Sequence, residues 1–296
     1  MGEKVHVVTV ATESKHYFPY LKQSCERHGS NIIALGMGEK WEGLSWKLKK
    51  TTEYLKTVPA TDIVCFVDGY DVICCRDLKE LPAEFKRIKA ETGCKMVVGH
   101  DKTSFISGFN YLYYGKCKNE SINSGTYVGY AGDLLEIIPK IHAINPTNDT
   151  SDQYLMTQYC QRTDDIHCDV DNCMFLTFFK PFERLHNYVE MREGYEVHHN
   201  SNRPFFIHAA GCGFLDDLIH ALGYDIELGV ISNRIFYESF DKFTRMHILR
   251  LLKEYWLRVL LAFLFLVVIV SVVRAYVFKR SIDNVVKTLK RATRRH

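Results

Sequence analysis

The sequence predicts an α/β protein with a mainly parallel sheet, and three observations lead to that class. Apolar, β-branched segments alternate with amphipathic segments in the N-terminal part of the chain, which is typical of strands joined by crossover helices. Two of those apolar segments end in acidic residues or histidine, as strands of such sheets do where they reach a ligand. The composition, 47% hydrophobic and 25% charged over 296 residues, is that of an ordinary globular protein.

The predicted elements follow this alternation in order. Strands are predicted at KVHVVTVAT, NIIALG, DIVCFVDGYDVI and KMVVGHD, with helices between them at HYFPYLKQSCERHG, SWKLKKTTEYLKTV and LKELPAEFKRIKAETG. The first helix ends at Gly29 and the second is stopped by Pro59. Residues 103–131 are rich in Gly, Tyr and Asn. Helices follow at DLLEIIPKIHAI and SDQYLMTQYCQ, the latter with Ser151 or Asp152 near its N-cap, and then strands at CMFLTFF and PFFIHAAGCG.

The C-terminal part predicts a membrane anchor. Residues 259–273 carry no charge and are flanked by Arg258 and Arg274. The apolar span from Trp256 to Phe278 has about 23 residues, roughly 34 Å as a helix, which is enough to cross a bilayer. The alternative is a buried core helix. The predicted organisation is an α/β domain at 1–235, an amphipathic juxtamembrane helix at 236–258, a transmembrane helix at 259–278 and a basic tail at 279–296.

The N-terminus predicts on which side of the membrane the α/β domain lies. The opening residues, MGEKVHVVTVATES, have the pattern of a strand and are too short and too broken for a signal peptide. We therefore expect a single-pass C-terminal anchor with the α/β domain in the cytosol. The lumenal orientation stays open, because the cytosolic one sends the basic tail across the membrane against the usual preference. The sequons at Asn119 and Asn148 would matter only in a lumen.

Charge and cysteine placement argue against two other classes. The net charge of +3 is too small to indicate a nucleic-acid partner. The ten cysteines show no regular disulfide spacing, and Cys65 lies inside an apolar strand. Most of them are therefore predicted to be reduced and buried. The segment from Cys168 to Cys173 has the wrong spacing for a zinc knuckle.

The stretch FVDGYDVI, residues 66–73, predicts either a turn or a metal site. Asp68 and Asp71 leave a buried strand together, and such a pair can present two carboxylate oxygens to a hard divalent ion or simply form a turn. His208 follows the apolar run PFFI and precedes AAGCG, at what looks like another strand end. Imidazole suits Mn²⁺ better than Mg²⁺, although a lone histidine is more often structural. The three residues together predict an Mn²⁺ site.

Six segments in order resemble a known family. They are VVTVATES, ALGMGEKWEG, FVDGYDVI, INSGTYVGYA, SDQYLMTQYC and FIHAAGCG, and they occur in the order found in the glycosyltransferase domain of procollagen lysyl hydroxylases. The procollagen galactosyltransferases are similar but more distant. The resemblance covers about residues 4–215. It implies a GT-A (Rossmann-like) fold and transfer of a hexose, galactose or glucose, from a UDP-sugar to a hydroxyl on a protein, glycan or lipid.

The resemblance also implies roles for individual residues. It implies that Asp68, Asp71 and His208 bind Mn²⁺, with Mg²⁺ less suited, and that the ring of Tyr70 stacks on uracil. It also implies that Asn123 and Gly211 line the donor site and that the Asp152 carboxylate lies beside the reacting sugar. Asp101 is a second candidate catalytic carboxylate, on the acceptor side, although it would serve equally well as a cap of the next loop.

Some positions depart from the family pattern. Ser151 stands where another acid is expected, Ala210 replaces an asparagine, and Lys50 stands where relatives have a tryptophan. No lysine closely follows the HAAG turn, whereas the family places one near the diphosphate. These departures leave open a glycosyltransferase that has lost activity and serves as a membrane scaffold or binding subunit. A third hypothesis is that the protein is a nucleotide-sugar hydrolase.

Overall fold

A six-stranded sheet forms the centre of the part of the chain that the computed structural model describes. That part comprises residues 3–101, 114–178, 189–192, 195–211 and 213–243, with Leu264, Val267 and Val270. The strands are β1 Val5–Val10, β2 Ile32–Leu35, β3 Ile63–Val67, β4 Val72–Cys74, β5 Met96–His100, β6 Ile122–Tyr130, β7 Ile166–Asp169, β8 Phe175–Phe178, β9 Glu190–Arg192, β10 Glu196–His198 and β11 Phe206–Ala209. The helices are α1 Phe18–Arg27, α2 Trp46–Leu55, α3 Leu81–Thr92, α4 Ala131–Ala143, α5 Asp152–Cys160, α6 Asp216–Ala221 and α7 Val230–Phe243.

The central sheet is mixed, with the strand order β2-β1-β3-β6-β5-β7. Five strands run in one direction, as predicted, whereas β6 runs antiparallel to both of its neighbours, β3 and β5. Strand β6 was not predicted, because INSGTYVGY contains Asn, Ser and Gly, which are weak strand formers. Pairing on both edges and burial outweigh that propensity here. The α/β class is confirmed, and the sheet is mainly parallel as predicted, with one reversed strand.

A smaller sheet, in the order β4-β11-β8, lies beside the end of β3. The segment predicted as one strand, DIVCFVDGYDVI, divides into β3 and β4, with Asp68–Asp71 as the link between the two sheets. Strand β4 pairs antiparallel with β11, in a register that places His208 opposite Val72. The N–H of Ala209 donates to the carbonyl oxygen of Asp71 at 2.8 Å. This pairing brings the residues on either side of the link next to His208.

Helices cover both faces of the central sheet. The apolar residues of α2, α4 and α5 pack in one cluster with Val8, Val64 and Phe66, and those of α1 and α3 pack in another with Val7 and Cys65. This is the three-layer arrangement expected of an α/β protein. A third cluster forms between the small sheet and α6.

The predicted C-terminal elements fall largely outside the described residues. Helix α7 includes the start of the predicted juxtamembrane helix, and residues 244–258 are not described. Of the predicted transmembrane helix, the structure describes only Leu264, Val267 and Val270, which are helical and exposed. No helix within the described residues is both long and apolar enough to span a bilayer. The chain divides into one compact unit at Met1–Phe236 and a second at Tyr237–His296.

The cysteines follow the prediction with one exception. The structure describes seven free cysteines, six of them buried, but Cys117 and Cys160 form a disulfide. The partners are 43 residues apart, so no short spacing could have indicated the pair. Cys117 precedes β6 and Cys160 ends α5, and the fold brings the two together. The bond ties the loop before β6 to the end of α5.

Candidate functional site

Three predicted metal ligands meet where the two sheets are linked. Asp68 follows β3, Asp71 precedes β4, and His208 lies in β11 opposite Val72. One ligand atom from each side chain lies within 4.8 Å of the other two. The His208 Nε2 atom is 3.3 Å from the Asp71 Oδ1 atom and 3.9 Å from the Asp68 Oδ2 atom. Among the described residues, no other group of three such side chains comes together in this way.

The surroundings of His208 fit a divalent ion. The ring is 3% exposed, and neither of its nitrogens makes a hydrogen bond, which is unusual for a buried imidazole. Burial lowers the pKa of His208, but the carboxylates of Asp71 and Asp68 outweigh burial and hold that pKa above its ordinary value. A buried imidazole whose Nε2 atom faces two carboxylates offers a mixed nitrogen and oxygen donor set for a divalent ion. The residues present therefore fit such an ion.

Gly125 makes room for this cluster. A Cβ atom at this position of β6 would lie 2.3 Å from the Cε1 atom of His208 and 2.7 Å from the Oδ2 atom of Asp68. The backbone also holds Asp68, whose N–H donates to the Gly125 carbonyl oxygen at 2.7 Å. Gly69, between the two aspartates, lies close to the end of β1, since its Cβ atom would lie 3.0 Å from the Thr9 Oγ1 atom.

Lys47 is a site residue that the sequence analysis missed. Its ammonium nitrogen lies 2.8 Å from the Asp68 Oδ1 atom and 2.8 Å from the Asp152 Oδ2 atom, and the side chain is buried. Burial lowers the pKa of Lys47, but the two carboxylates outweigh burial, and that pKa lies well above its ordinary value. The ammonium therefore stays charged and joins the metal cluster to Asp152. Its only sequence signal was a lysine on the otherwise apolar face of α2.

The N-terminus of α5 carries Asp152 into the site. Ser151 is the N-cap, and its side-chain oxygen accepts a hydrogen bond from the Tyr154 N–H. Serine is among the preferred N-cap residues, so Ser151 has a structural role at the start of α5. Asp152 occupies the first helical position and is buried against Lys47. Gln153 follows it and also faces the cavity.

A cavity of about 260 Å³ connects most of the predicted residues. It is lined by the metal cluster and Lys47 and by the candidate site residues Asp101, Asn123, Asp152, Ala210 and Gly211. Asn123 uses its side-chain oxygen to accept a hydrogen bond from the Gly125 N–H at 2.9 Å, so it also supports the strand beside the cluster. Gly211 has a φ of +64°, a conformation that favours glycine in the turn after β11. The buried Asp101 also lies in the cavity wall.

A second cavity of about 190 Å³ shares Lys47, Asp68 and Asp71 with the first and holds Tyr70 and Trp41. The Tyr70 hydroxyl accepts hydrogen bonds from the N–H groups of Thr12 and Glu13, which anchor the ring to the loop after β1. Trp41 is 38% exposed and packs edge-on against the buried Trp46. This side of the site therefore offers aromatic surface to a flat ring.

Two further positions from the sequence analysis lie outside the site. The Lys50 ammonium pairs with Glu39 at 2.7 Å and does not line either cavity. In the segment from Cys168 to Cys173, the Asp169 carboxylate accepts hydrogen bonds from the N–H groups of Cys173, Met174 and Phe175. Asp169 therefore caps the turn before β8, and the segment is structural.

Comparisons with known proteins agree with the family resemblance. Residues 1–215 match the protein-family model described as the PLOD GT domain. Procollagen-lysine,2-oxoglutarate 5-dioxygenase of Drosophila melanogaster is 27% identical over 167 residues, 52% of this chain and 22% of that protein. The multifunctional procollagen lysine hydroxylase and glycosyltransferase of Caenorhabditis elegans is 25% identical over 230 residues, 69% of this chain and 30% of that protein.

Two other matches are more limited. The human multifunctional procollagen lysine hydroxylase and glycosyltransferase LH3 is 28% identical over 152 residues, 46% of this chain and 20% of that protein. The apo structure of mouse xyloside xylosyltransferase 1 aligns with a TM-score of 0.42 and 9% identity, covering 71% of this chain and 98% of that one. The matched region is thus less than a third of the length of these curated relatives.

Proposed function

The chain belongs to the family of the PLOD glycosyltransferase domain, and on that premise we propose that it is a metal-dependent GT-A hexosyltransferase. The reaction moves galactose or glucose from a UDP-sugar to a hydroxyl of a protein, glycan or lipid. The observation that carries the proposal is the Asp68, Asp71 and His208 cluster, which opens into a cavity that Asp152 also lines. A carboxylate-rich cavity with a place for a divalent ion suits a nucleoside-diphosphate donor.

The metal cluster would serve the leaving group. Asp68, Asp71 and His208 would hold Mn²⁺, and the bound ion supplies positive charge for a diphosphate that gains negative charge as the glycosidic bond breaks. In this chain the Lys47 ammonium, 2.8 Å from Asp68, would add a second positive charge near the diphosphate. This lysine provides a cation at the site although none closely follows the HAAG turn.

The carboxylates on the other side of the cavity would serve the sugar. Asp152 is held by Lys47 through its Oδ2 atom, and the cavity wall includes both Asp152 and Asp101. A carboxylate in this position orients sugar hydroxyls or stabilises positive charge at the anomeric carbon. Tyr70 would stack on uracil, while Asn123 and Gly211 would border the donor.

A donor screen tests the proposal. Purified protein is incubated with UDP-galactose, UDP-glucose and related donors in the presence of Mn²⁺ or EDTA, and donor hydrolysis and transfer to hydroxyl acceptors are measured. The proposal expects Mn²⁺-dependent turnover of at least one hexose donor and its near-complete loss in Asp71→Ala. If donors bind but no donor is turned over, the enzyme proposal fails.

A second candidate function is a binding or scaffold subunit without transfer activity. The observation that favours it is the Lys47 ammonium, which already pairs with the metal-site carboxylate Asp68 and with Asp152. Ala210 in the cavity wall, in place of the family's asparagine, points the same way. Under this candidate, Asp71→Ala leaves the biological role intact. A complementation assay with that variant separates it from the enzyme.

Membrane attachment through the C-terminal segment is also part of the proposal. The sequence favours a cytosolic α/β domain, whereas the disulfide between Cys117 and Cys160 supports the lumenal alternative, because disulfides persist in oxidising compartments. The sequon residue Asn119 is exposed in the turn next to that disulfide. Protease protection of the N-terminal domain in intact membranes, with glycosidase treatment of wild type and Asn119→Gln, decides the orientation. A cytosolic domain is degraded and shows no glycan.

A further inference from the structure

We propose that Lys47 is a positioning residue that keeps Asp152 out of the coordination of the metal ion. Its ammonium divides the acidic site into a metal half, formed by Asp68, Asp71 and His208, and a sugar half, formed by Asp152. This inference rests on the proposed function, because the terms metal half and sugar half assume a bound ion and a bound sugar.

The ammonium stands between the two halves. Its nitrogen lies 2.8 Å from the Oδ1 atom of Asp68 and 2.8 Å from the Oδ2 atom of Asp152. The other oxygen of Asp68, Oδ2, is the one near the His208 Nε2 atom, at 3.9 Å. Lys47 thus turns one oxygen of Asp68 away from the metal half and leaves the other oxygen directed toward it. Asp152 is connected to the metal half through the Lys47 ammonium.

Charge explains why this separation needs a cation. Four carboxylates line the cavity, at Asp68, Asp71, Asp101 and Asp152, and Lys47 is the one lysine or arginine among the described lining residues. A divalent ion attracts every nearby carboxylate, and the attraction falls only slowly with distance in a buried site. Without the ammonium, Asp152 would be drawn toward the ion as an additional ligand. Its carboxylate would then no longer be available to the sugar.

The backbone holds Lys47 and Asp152 in this relation independently of the ion pair. The Ser45 hydroxyl donates to the Thr147 carbonyl oxygen at 2.6 Å, and the Ser45 N–H donates to the Asn148 carbonyl oxygen at 3.2 Å. Gly43 permits this approach, because a Cβ atom there would lie 2.2 Å from the Asn148 carbonyl oxygen. The segment that starts α2 is therefore tied to the loop that leads into α5. Lys47 is placed against Asp152 before any ligand arrives.

Mn²⁺ affinity in the absence of donor is the primary test. Lys47→Met removes the ammonium, and we expect it to bind Mn²⁺ about tenfold or more tightly, because one positive charge next to the ion is lost and one carboxylate is released to it. Lys47→Arg should bind Mn²⁺ like wild type. Lys49→Met, the same change at an exposed position of α2, is the matched control and should also behave like wild type. Binding is measured by the loss of the free-Mn²⁺ electron paramagnetic resonance signal.

A double variant identifies Asp152 as the released carboxylate. Lys47→Met with Asp152→Asn removes one charge of each sign, so Mn²⁺ affinity should return to near the wild-type value. In transfer assays Lys47→Met should lower kcat while its Mn²⁺ requirement shifts to lower concentrations. Loss of the charge alone would also tighten binding, so the number of water molecules on the bound Mn²⁺, measured by water-proton relaxation, separates the two causes. That number should fall in Lys47→Met, where Asp152 becomes a ligand, and should return to the wild-type value in the double variant. If Lys47→Met does not fold, Lys47→Gln, which keeps a hydrogen-bond donor without the charge, should show the same tightening.

The outcomes separate this inference from the proposed function. Unchanged or weaker Mn²⁺ binding in folded Lys47→Met or Lys47→Gln overturns the inference, whatever the activity. Tighter binding that persists when Asp152 is also replaced overturns the role assigned to Asp152. Tighter binding in a protein that turns over no donor supports the inference, and the transferase proposal alone fails.

Discussion

Gly125→Ala is predicted to remove His208 from the metal site with little change in the rest of the fold. The added Cβ atom would lie 2.3 Å from the His208 Cε1 atom, whereas ordinary van der Waals contacts begin at 3.4 Å, so the ring must move by about 1 Å. The same Cβ atom would lie 2.7 Å from the Asp68 Oδ2 atom, so it would displace the Asp68 carboxylate as well as the His208 ring. The substitution introduces no charge and deletes no ligand.

The magnitude follows from the tolerance of metal coordination. Ligand distances in metal sites hold to within about 0.2 Å, so a displacement of this size removes the imidazole as a ligand. We expect Mn²⁺ affinity to fall by about 10- to 100-fold, the usual effect of disturbing the groups that orient a metal ligand. Overpacking should also lower the unfolding free energy by about 1–3 kcal/mol.

The control is Gly129→Ala in the same strand. Its Cβ atom would lie 2.6 Å from the Lys95 carbonyl oxygen and 2.8 Å from the Leu134 Cδ2 atom, on the part of β6 away from the cluster. This variant should lose stability but keep its Mn²⁺ affinity. Calorimetric titration with Mn²⁺ and chemical denaturation in EDTA measure the two quantities. Equal Mn²⁺ affinity in Gly125→Ala and wild type would refute the placement of His208 beside Gly125.

Three further changes give separate checks. Asp71→Ala should abolish Mn²⁺ binding by calorimetry, and wild-type binding would contradict the cluster. In EDTA its unfolding free energy should change little, because the lost attraction to His208 offsets the relieved repulsion between carboxylates. Ser151→Ala should cost about 1 kcal/mol in chemical denaturation, whereas Ser151→Asp should keep wild-type stability, since either residue caps α5. Equal losses in both variants would show that Ser151 does not act as a cap. Replacing Cys117 and Cys160 by serine should cost about 2–4 kcal/mol. Reduction of the denatured wild type should release two additional titratable thiols, and the same thiol count before and after reduction would contradict the bond.

The sequence was sufficient to identify the α/β class and the parts of the site that lie at strand ends. Asp68, Asp71 and His208 could be predicted because polar residues directly after apolar runs mark the edge where ligands bind. Their grouping needed the pairing of β4 with β11, and no local pattern encodes that pairing. The same holds for the disulfide, whose cysteines lie 43 residues apart.

Lys47 and Gly125 show why the remaining site residues could not be predicted from the sequence. A lysine within an amphipathic helix is usually exposed, and only the position of α2 against β3 and α5 shows that Lys47 is buried between two carboxylates. Gly125 lies in a strand that the sequence did not predict, and its function depends on the space occupied by His208. Both contributions come from tertiary contacts.

The central claim is that Asp68, Asp71 and His208 bind one divalent ion while Asp152 stays outside its coordination. Anomalous diffraction near the manganese absorption edge, from crystals grown with Mn²⁺ and UDP, tests it most directly. We expect one Mn²⁺ peak within coordination distance of those three side chains, with the Lys47 ammonium still in contact with Asp152. A peak elsewhere, or a peak coordinated by Asp152, would contradict it.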